Sequence, residues 1–570
     1  MTRRLMLSHF PLLVLLSLLP RASFAQSSWG TSGVALCTDA AVQSNPKLCS
    51  DDSLGAIVVW RDFRFGAAGD IFAARVLADG TLDPRWPANG LAVCDTAGVQ
   101  KNAVIASDGS GGAYIAWEDE RTNVTGNIFA VHLRGDGTLA PGWTQGGNRV
   151  CALDRTETNP TIVSDGLGGA IVGWQDGRQM QPSIDIYAQH LRSDEVDHLW
   201  QPSGRQVESL GGDQTMPISA PDGSGGAFIA WQDGLHLGCG HVDASGNSNW
   251  GTTGIAVNGP TGTQDAMSIS GDGKGDAFFV WVQHPTGVVS VQKIRFDTVK
   301  LWTSNGVVAP APAGIAQSNP TITPDLEGGV IVTWSDARSG TSSDVWASHI
   351  LNIGSLDPAW TTNGVSIAAT TNGEDFPMAL GDGDGGALIE WQYGTSGGGT
   401  GARAQRIHED GTTAAGWTAG GFTLSSVESC LQQAVIADGG GGALVAWQDK
   451  RAGANGDVYV QRVDGTGVPV AAGPGPLAAG FHLGMPWPNP ARSGVALSYV
   501  SQTPIAQCEV FDTQGRMVRH LDAPGGLAAG AHQITWDLRS TGGRRVPAGL
   551  YFIRVDNPLG TQARKLLVEP

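Results

Sequence analysis

At 570 residues the chain is too long for one ordinary core, so repeats or several domains are expected. Its 82 glycines beside a 41% hydrophobic content point to many turns between buried strands and exclude a disordered chain. A formal net charge of -18, with no clustered run of Lys and Arg, argues against a phosphate-binding groove and so against nucleic acid as a partner.

The chain opens like an export signal. Arg3 and Arg4 precede the apolar run FPLLVLLSLL (10–19), and SFA at 23–25 offers small residues for cleavage before Gln26. That run is too short to span a bilayer, and no later segment is long and apolar enough. Residues 1–25 therefore read as a signal peptide. The mature protein is expected outside the cytoplasm, secreted or at the outer cell surface, with no transmembrane segment.

Between residues 26 and 466 one phrase recurs eight times, as in SDGSGGAYIAWEDERT (107–122), SDGLGGAIVGWQDGRQ (164–179) and PDGSGGAFIAWQDGLH (221–236). Its closing tryptophans are Trp60, Trp117, Trp174, Trp231, Trp281, Trp334, Trp391 and Trp447, spaced 50 to 57 residues apart. A second column, in the pattern W-x-x-x-G, runs Trp29, Trp86, Trp143, Trp200, Trp250, Trp302, Trp360 and Trp417. The two columns take 16 of the 19 tryptophans, so the aromatic content is architectural.

Each unit reads as four short strands, resembling NPTIVSD, GGAIVGW, DIYAQHL and, after W-x-x-x-G, NRVCA. An Asp stands nine residues before every closing Trp, from Asp51 and Asp108 to Asp438, and glycines follow it. That is hairpin chemistry: Asp accepts hydrogen bonds from turn amides and Gly supplies positive φ. The second strand is apolar throughout, which implies burial on both faces. Four-stranded units sandwiched between copies of themselves describe a β-propeller. One orphan strand at the start (29–37) and a three-stranded last unit (430–464) together make one blade. An all-β, eight-bladed propeller closed by an N-terminal strand is predicted.

Several polar columns invite functional readings. Asp recurs two residues after the closing Trp in six units, and Arg two residues later in five: Arg64, Arg121, Arg178, Arg338 and Arg451. The same five units open the third strand with Asp or Asn (Asp70, Asn127, Asp185, Asp344, Asp457), so Arg is expected to pair across the second hairpin. HLGCGH, with His236, Cys239 and His241, has the look of a metal site. Yet His241 belongs to a third-strand column that also reads Arg75, His132, His190, Lys293, His349, Arg406 and Arg462, which describes a cation or donor and not a ligand. No metal and no cofactor is expected. GDGDGG (381–386) suggests calcium, but the same turn recurs without its second Asp. GTSGG (394–398) matches G-x-S-x-G but lies in a hairpin loop, so no catalytic residue is assigned from it.

A further column lies 17 residues before the closing Trp: Gln43, Gln100, Glu157, Gln214, Gln264, Gln317, Glu374 and, in the last unit, Cys430. If the first strand lines the channel, the seven Gln and Glu residues form a polar collar for a sugar, peptide or cation. The alternative is that each seals the ring by bonding a neighbouring blade. Units four, five and seven depart most from the repeat, and their loops are where a specific site is sought. Cys37, Cys94 and Cys151 share one repeat position and read as small buried strand residues. Cys49, Cys239, Cys430 and Cys508 are available for pairing in an oxidising compartment.

Residues 467–484 are a Gly/Pro/Ala linker. Beyond it, PNP, VFDTQGRMVRHL, AAGAHQITWDLRSTGGRRVPAGLYFIRV and a terminal RKLLVE give an alternating strand pattern that fits a small β-sandwich. Residues 485–570 resemble the type IX secretion C-terminal sorting domain and are similar to the immunoglobulin-like domain of the flagellar hook-capping protein. The resemblance implies export across an outer membrane, engagement of the secretion machinery, and attachment or release at the surface. The whole reads as a secreted or cell-surface, non-catalytic binding or scaffold protein whose propeller presents loops to an extracellular glycan, peptide or protein. The alternative is an extracellular polysaccharide hydrolase or lyase with Glu157 and Glu374 at the channel mouth.

Overall fold

The computed structural model describes residues 29–465 and 481–568 except for short stretches, the longest being 194–199 in the first region and 522–529 in the second. The export signal and the GTSGG serine lie outside the described residues, as does most of the linker. Every regular element described is a β-strand, and no described helix is long and apolar enough to cross a membrane.

The repeats fold into four-stranded antiparallel sheets, as the spacing predicts. In the second one, Gln100–Ser107, Ala113–Asp119, Asn127–Leu133 and Asn148–Arg149 run from inner to outer edge. Numbered in chain order, blades 1 to 7 share this order, and blade 8 contains Cys430–Ala437, Ala443–Asp449 and Asp457–Val463. Its fourth strand is Val34–Cys37, with Val34 opposite Val460 and Ala35 opposite Tyr459.

Apolar clusters lie between blades and not within them. Val58 and Trp60 of blade 1 share one cluster with Leu444 and Val460 of blade 8. Ile57 and Val59 face the other way, into a cluster with Ile115 and Trp117 of blade 2. A strand buried on both faces must be apolar at every position, which is why AIVVW does not alternate. The W-x-x-x-G tryptophans tie neighbours together: Trp86 Nε1 donates to Gly135 O of the next blade at 3.2 Å, and Trp360 Nε1 to Glu409 O at 2.8 Å. Trp29 Nε1, beside the N-terminal strand, donates likewise to Ala78 O of blade 1 at 3.2 Å.

The C-terminal module has two sheets, one of Phe481–Leu483, Val495–Ser501 and Gly530–Trp536, the other of Met517–His520, Gln507–Asp512, Gly549–Asn557 and Gly560–Val568. They enclose one core around Trp536, Tyr499, Ile553 and Leu566, in agreement with the expected small sandwich. All seven cysteines are buried and free, so the pairing left open for Cys49, Cys239, Cys430 and Cys508 does not occur.

Candidate functional site

The four-stranded sheets share two ends. At one, each blade turns from its first to its second strand on the Asp-Gly phrase. At the other lie the starts of the first strands and the W-x-D-x-R loops.

At the turn end, the phrase Asp binds two turn amides. Asp51 Oδ1 accepts from Ser53 N at 2.9 Å and from Gly55 N at 2.7 Å. Gly55 has no alternative there, because a Cβ would come within 2.3 Å of Val76 O. The remaining oxygen faces the third-strand Arg, Lys or His in every blade. The shortest distances are Arg75–Asp51 2.9 Å, His132–Asp108 2.8 Å, His190–Asp165 2.8 Å and His241–Asp222 2.9 Å. They continue as Lys293–Asp272 3.7 Å, His349–Asp325 2.8 Å, Arg406–Asp382 2.9 Å and Arg462–Asp438 2.8 Å. The column expected to act as a cation or donor does so, and its partner is the turn Asp. The long pair, in blade 5, is the one where Asp276 replaces the glycine at the crowded position.

The metal-like residues of HLGCGH do not converge. His241 is taken by Asp222, His236 lies 3.2 Å from Gln264 Oε1, and the Cys239 thiol donates to Gly240 O. In GDGDGG both Asp382 and Asp384 are engaged by Arg406.

At the other end the Arg expectation needs correction. Arg64, Arg121, Arg178, Arg338 and Arg451 do not bridge to the third-strand Asp or Asn; each closes on the Asp two residues before it, at 2.5 to 2.6 Å. That Asp also accepts from the closing Trp, as Trp117 Nε1 to Asp119 Oδ2 at 2.8 Å. The guanidinium then lies 3.5 to 4.1 Å over the third-strand ring (Phe72, Phe129, Tyr187, Trp346, Tyr459) and donates to a carbonyl of the W-x-x-x-G loop. The blades that lack this Arg lack the ring as well, with Gly238, Ser290 and Arg403 opposite the closing Trp.

The seven collar side chains, Gln43, Gln100, Glu157, Gln214, Gln264, Gln317 and Glu374, are 0 to 2% exposed. Their backbone amides bond the preceding blade: Gln100 N to Gly69 O at 3.1 Å, Glu157 N to Gly126 O at 3.0 Å, and Gln43 N to Gly456 O of blade 8 at 2.7 Å. Side-chain oxygens do the same where they accept from Ile128 N (Glu157, 3.0 Å) and Val289 N (Gln317, 2.7 Å). Glu374 accepts from the Thr370 hydroxyl and amide. Burial raises the pKa of Glu374, and that of Glu157 to about 7. Cys151, Glu157 and Asp176 bring three donor atoms together, but Arg178 sits on the same group, 3.4 Å from Cys151 Sγ and 2.5 Å from Asp176, and supplies its positive charge.

Two features escaped the sequence reading. Two residues after each collar position the chain takes positive φ: Asn45, Asn102, Asn159, Met216, Ala266, Asn319, Phe376 and Gln432, at 49° to 54°. These are β-bulges on every first strand, and Asn in four of the eight was the available signal. The other is a groove of about 670 Å³ on the turn-end rim of blades 2 to 4, bounded by Arg134, Arg192, Leu167, His132 and His190. Arg134 and Arg192 are exposed, and Leu167 is 67% exposed.

With both ends described, comparison with known proteins adds one assignment. Residues 486–569 match the model of the secretion system C-terminal sorting domain. The C-terminal module is a sorting domain. Such domains mark proteins exported by the type IX route to the cell surface or beyond, so the protein is a secreted one. No curated protein sequence matches the chain. Among solved structures it is similar to PorZ, an essential surface component of the type-IX secretion system of Porphyromonas gingivalis, at 12% identity over 92% of this chain and 70% of that one (TM-score 0.33). It is also similar to an α-L-arabinanase of Penicillium chrysogenum, at 14% identity over 77% and 99% of the two chains (TM-score 0.34).

Proposed function

We propose that this is an extracellular binding protein: a closed ring of eight blades that holds an anionic glycan or peptide on its turn-end rim, delivered to the surface by its sorting domain. The observation that carries the reading is the groove in which exposed Arg134 and Arg192 flank exposed Leu167. Guanidinium groups bind carboxylate or sulfate in a bidentate fork, and an apolar residue between them buries the neighbouring carbon skeleton. Eight blades and closure are supported by Val34–Cys37 on the last sheet and by the Gln43 to Gly456 hydrogen bond, which repeats the link between other blades. The collar side chains act as seals in this reading, since amides and carboxyls that are 0 to 2% exposed cannot meet a polymer. The same burial weighs against a hydrolase or lyase using Glu157 and Glu374.

The test is an array of acidic and neutral glycans and peptides probed with the full chain. Acidic ligands should bind, and Arg134→Ala/Arg192→Ala should weaken them about tenfold or more. Release of reducing ends by the wild type but not by Glu157→Gln/Glu374→Gln would instead establish the enzyme.

A further inference from the structure

The turn end holds a second cavity of about 520 Å³, and the other module contributes to its wall. Turns of blades 3 to 7 line it, with Leu167, Pro221, Pro324 and Leu326 among them, and Arg492 of the sorting domain joins them. Arg492 Nη1 donates to Ser224 Oγ of blade 4 at 2.7 Å, and Nη2 to Lys274 O of blade 5 at 2.6 Å. The residue is fixed within its own module. Ala491 N donates to Leu567 O at 2.8 Å, and Arg545 donates to the Arg492 carbonyl.

The adjoining edge strand, Gly560–Val568, carries two more cations toward the propeller. Arg564 lies in the field of Asp384 of blade 7 and Asp438 of blade 8, opposed by that of Arg406, and Lys565 lies in the field of Glu409 of blade 7. Hydrogen bonds thus hold blades 4 and 5, and attraction between opposite charges extends to blades 7 and 8. The charge division matches this seating: residues 486–569 hold nine basic and six acidic residues, the rest of the chain 26 and 47, giving +3 against -21.

We propose that the sorting domain is a lid seated on the turn end of its own propeller, anchored on blades 4 and 5 by Arg492, favoured by the opposite net charges of the two regions, and covering this cavity. The seating does not depend on what the rim groove binds. Complementary fields of opposite sign hold such contacts at low salt and release them as ions screen the charges.

Zero-length carbodiimide coupling of the full chain reads the contact directly. In the wild type at low salt a Lys565–Glu409 cross-linked peptide should be recovered by mass spectrometry, and its yield should fall about fivefold or more at 0.5 M salt, where the Debye length is well under 10 Å. Arg492→Ala/Arg564→Glu should lower the yield similarly, and adding Asp384→Lys to that pair should restore part of it, which a misfolded sandwich would not allow. Absence of the cross-link at low salt, equal yield in wild type and double variant, or no recovery with Asp384→Lys would each overturn the lid.

Discussion

Blades 1, 2, 3, 6 and 8 lock their collar end with one device, whereas blades 4, 5 and 7 reach a similar end with different parts. In the first group Trp, Asp, Arg and a third-strand ring form a closed set. In blade 7 the parts change strands. Tyr393 stands where Asp would, Arg403 stands at the register position of the ring, and the guanidinium lies 4.3 Å over the Tyr393 ring. Blade 5 replaces Asp with Gln283, whose Oε1 accepts weakly from Trp281 Nε1 at 3.4 Å. Blade 4 keeps Asp233 without Arg, and Gly238 leaves room for Trp231, since a Cβ there would lie 2.4 Å from its Nε1. The turn-end pair of Asp and cation, by contrast, is present in all eight. A repeat tolerates exchange of the whole set where only one hairpin is being locked, and keeps the Asp while exchanging Arg, Lys and His where the turn itself depends on that carboxylate.

That contrast is open to experiment. Asp119→Ala strands a half-buried guanidinium and the buried Trp117 N–H, and should cost about 3–5 kcal/mol in unfolding free energy. Asp233→Ala, in the blade without Arg, should cost under about 1 kcal/mol in the same urea titration. Equal costs would show that the device adds nothing.

The next effect concerns Glu390, which replaces the small or apolar residue before the closing Trp of blade 7. It is fully buried, and neither carboxyl oxygen has a hydrogen-bond partner. Burial raises its pKa well above 4.5, so the folded state holds the proton longer than the unfolded chain and stability falls as pH rises past that value. Glu390→Val, the residue of blade 1, should raise stability at neutral pH by about 1–3 kcal/mol and flatten that slope. Thermal unfolding across pH checks both.

A smaller effect separates blade 6 from blade 8. His349 sits 2.8 Å from both Asp325 and Asp357, and these carboxylates raise its pKa above 6.5 against the opposing effect of burial. Its contribution is complete below 6.5 and is lost as pH rises through the higher folded value. Asp325 is shifted down from 3.8, so its share is lost only as pH falls through the depressed folded value. His349→Arg, copying Arg462 of blade 8, should remove the loss on the alkaline side. At the small end, Arg295→Ala breaks only an exposed pair with Asp297 and should leave the unfolding midpoint unchanged.

Much of the fold was legible because a propeller writes its inter-blade packing as fixed columns. The two tryptophan columns, the Asp-Gly turn and the doubly buried second strand each named a position that the structure bears out. The turn-end pairs were seen as two separate columns, since Asp and cation lie about 24 residues apart and only the hairpin register joins them. The Arg partner was misassigned because two Asp columns flank it, and register alone does not say which one the guanidinium reaches. The rim groove left little trace in the repeat, because Arg134 and Arg192 stand just after the third strand, where other blades carry Leu, Asp, His or, in blade 5, Arg295.

The strand Val34–Cys37 is made more than 400 residues before its partner, Asp457–Val463. Until that late segment emerges, the early one has no sheet to join, and its unpaired edge is a hazard for pairing with the wrong chain. A molecule built this way joins these two strands only after the seven sheets between them have appeared, which suits a cargo that must first travel.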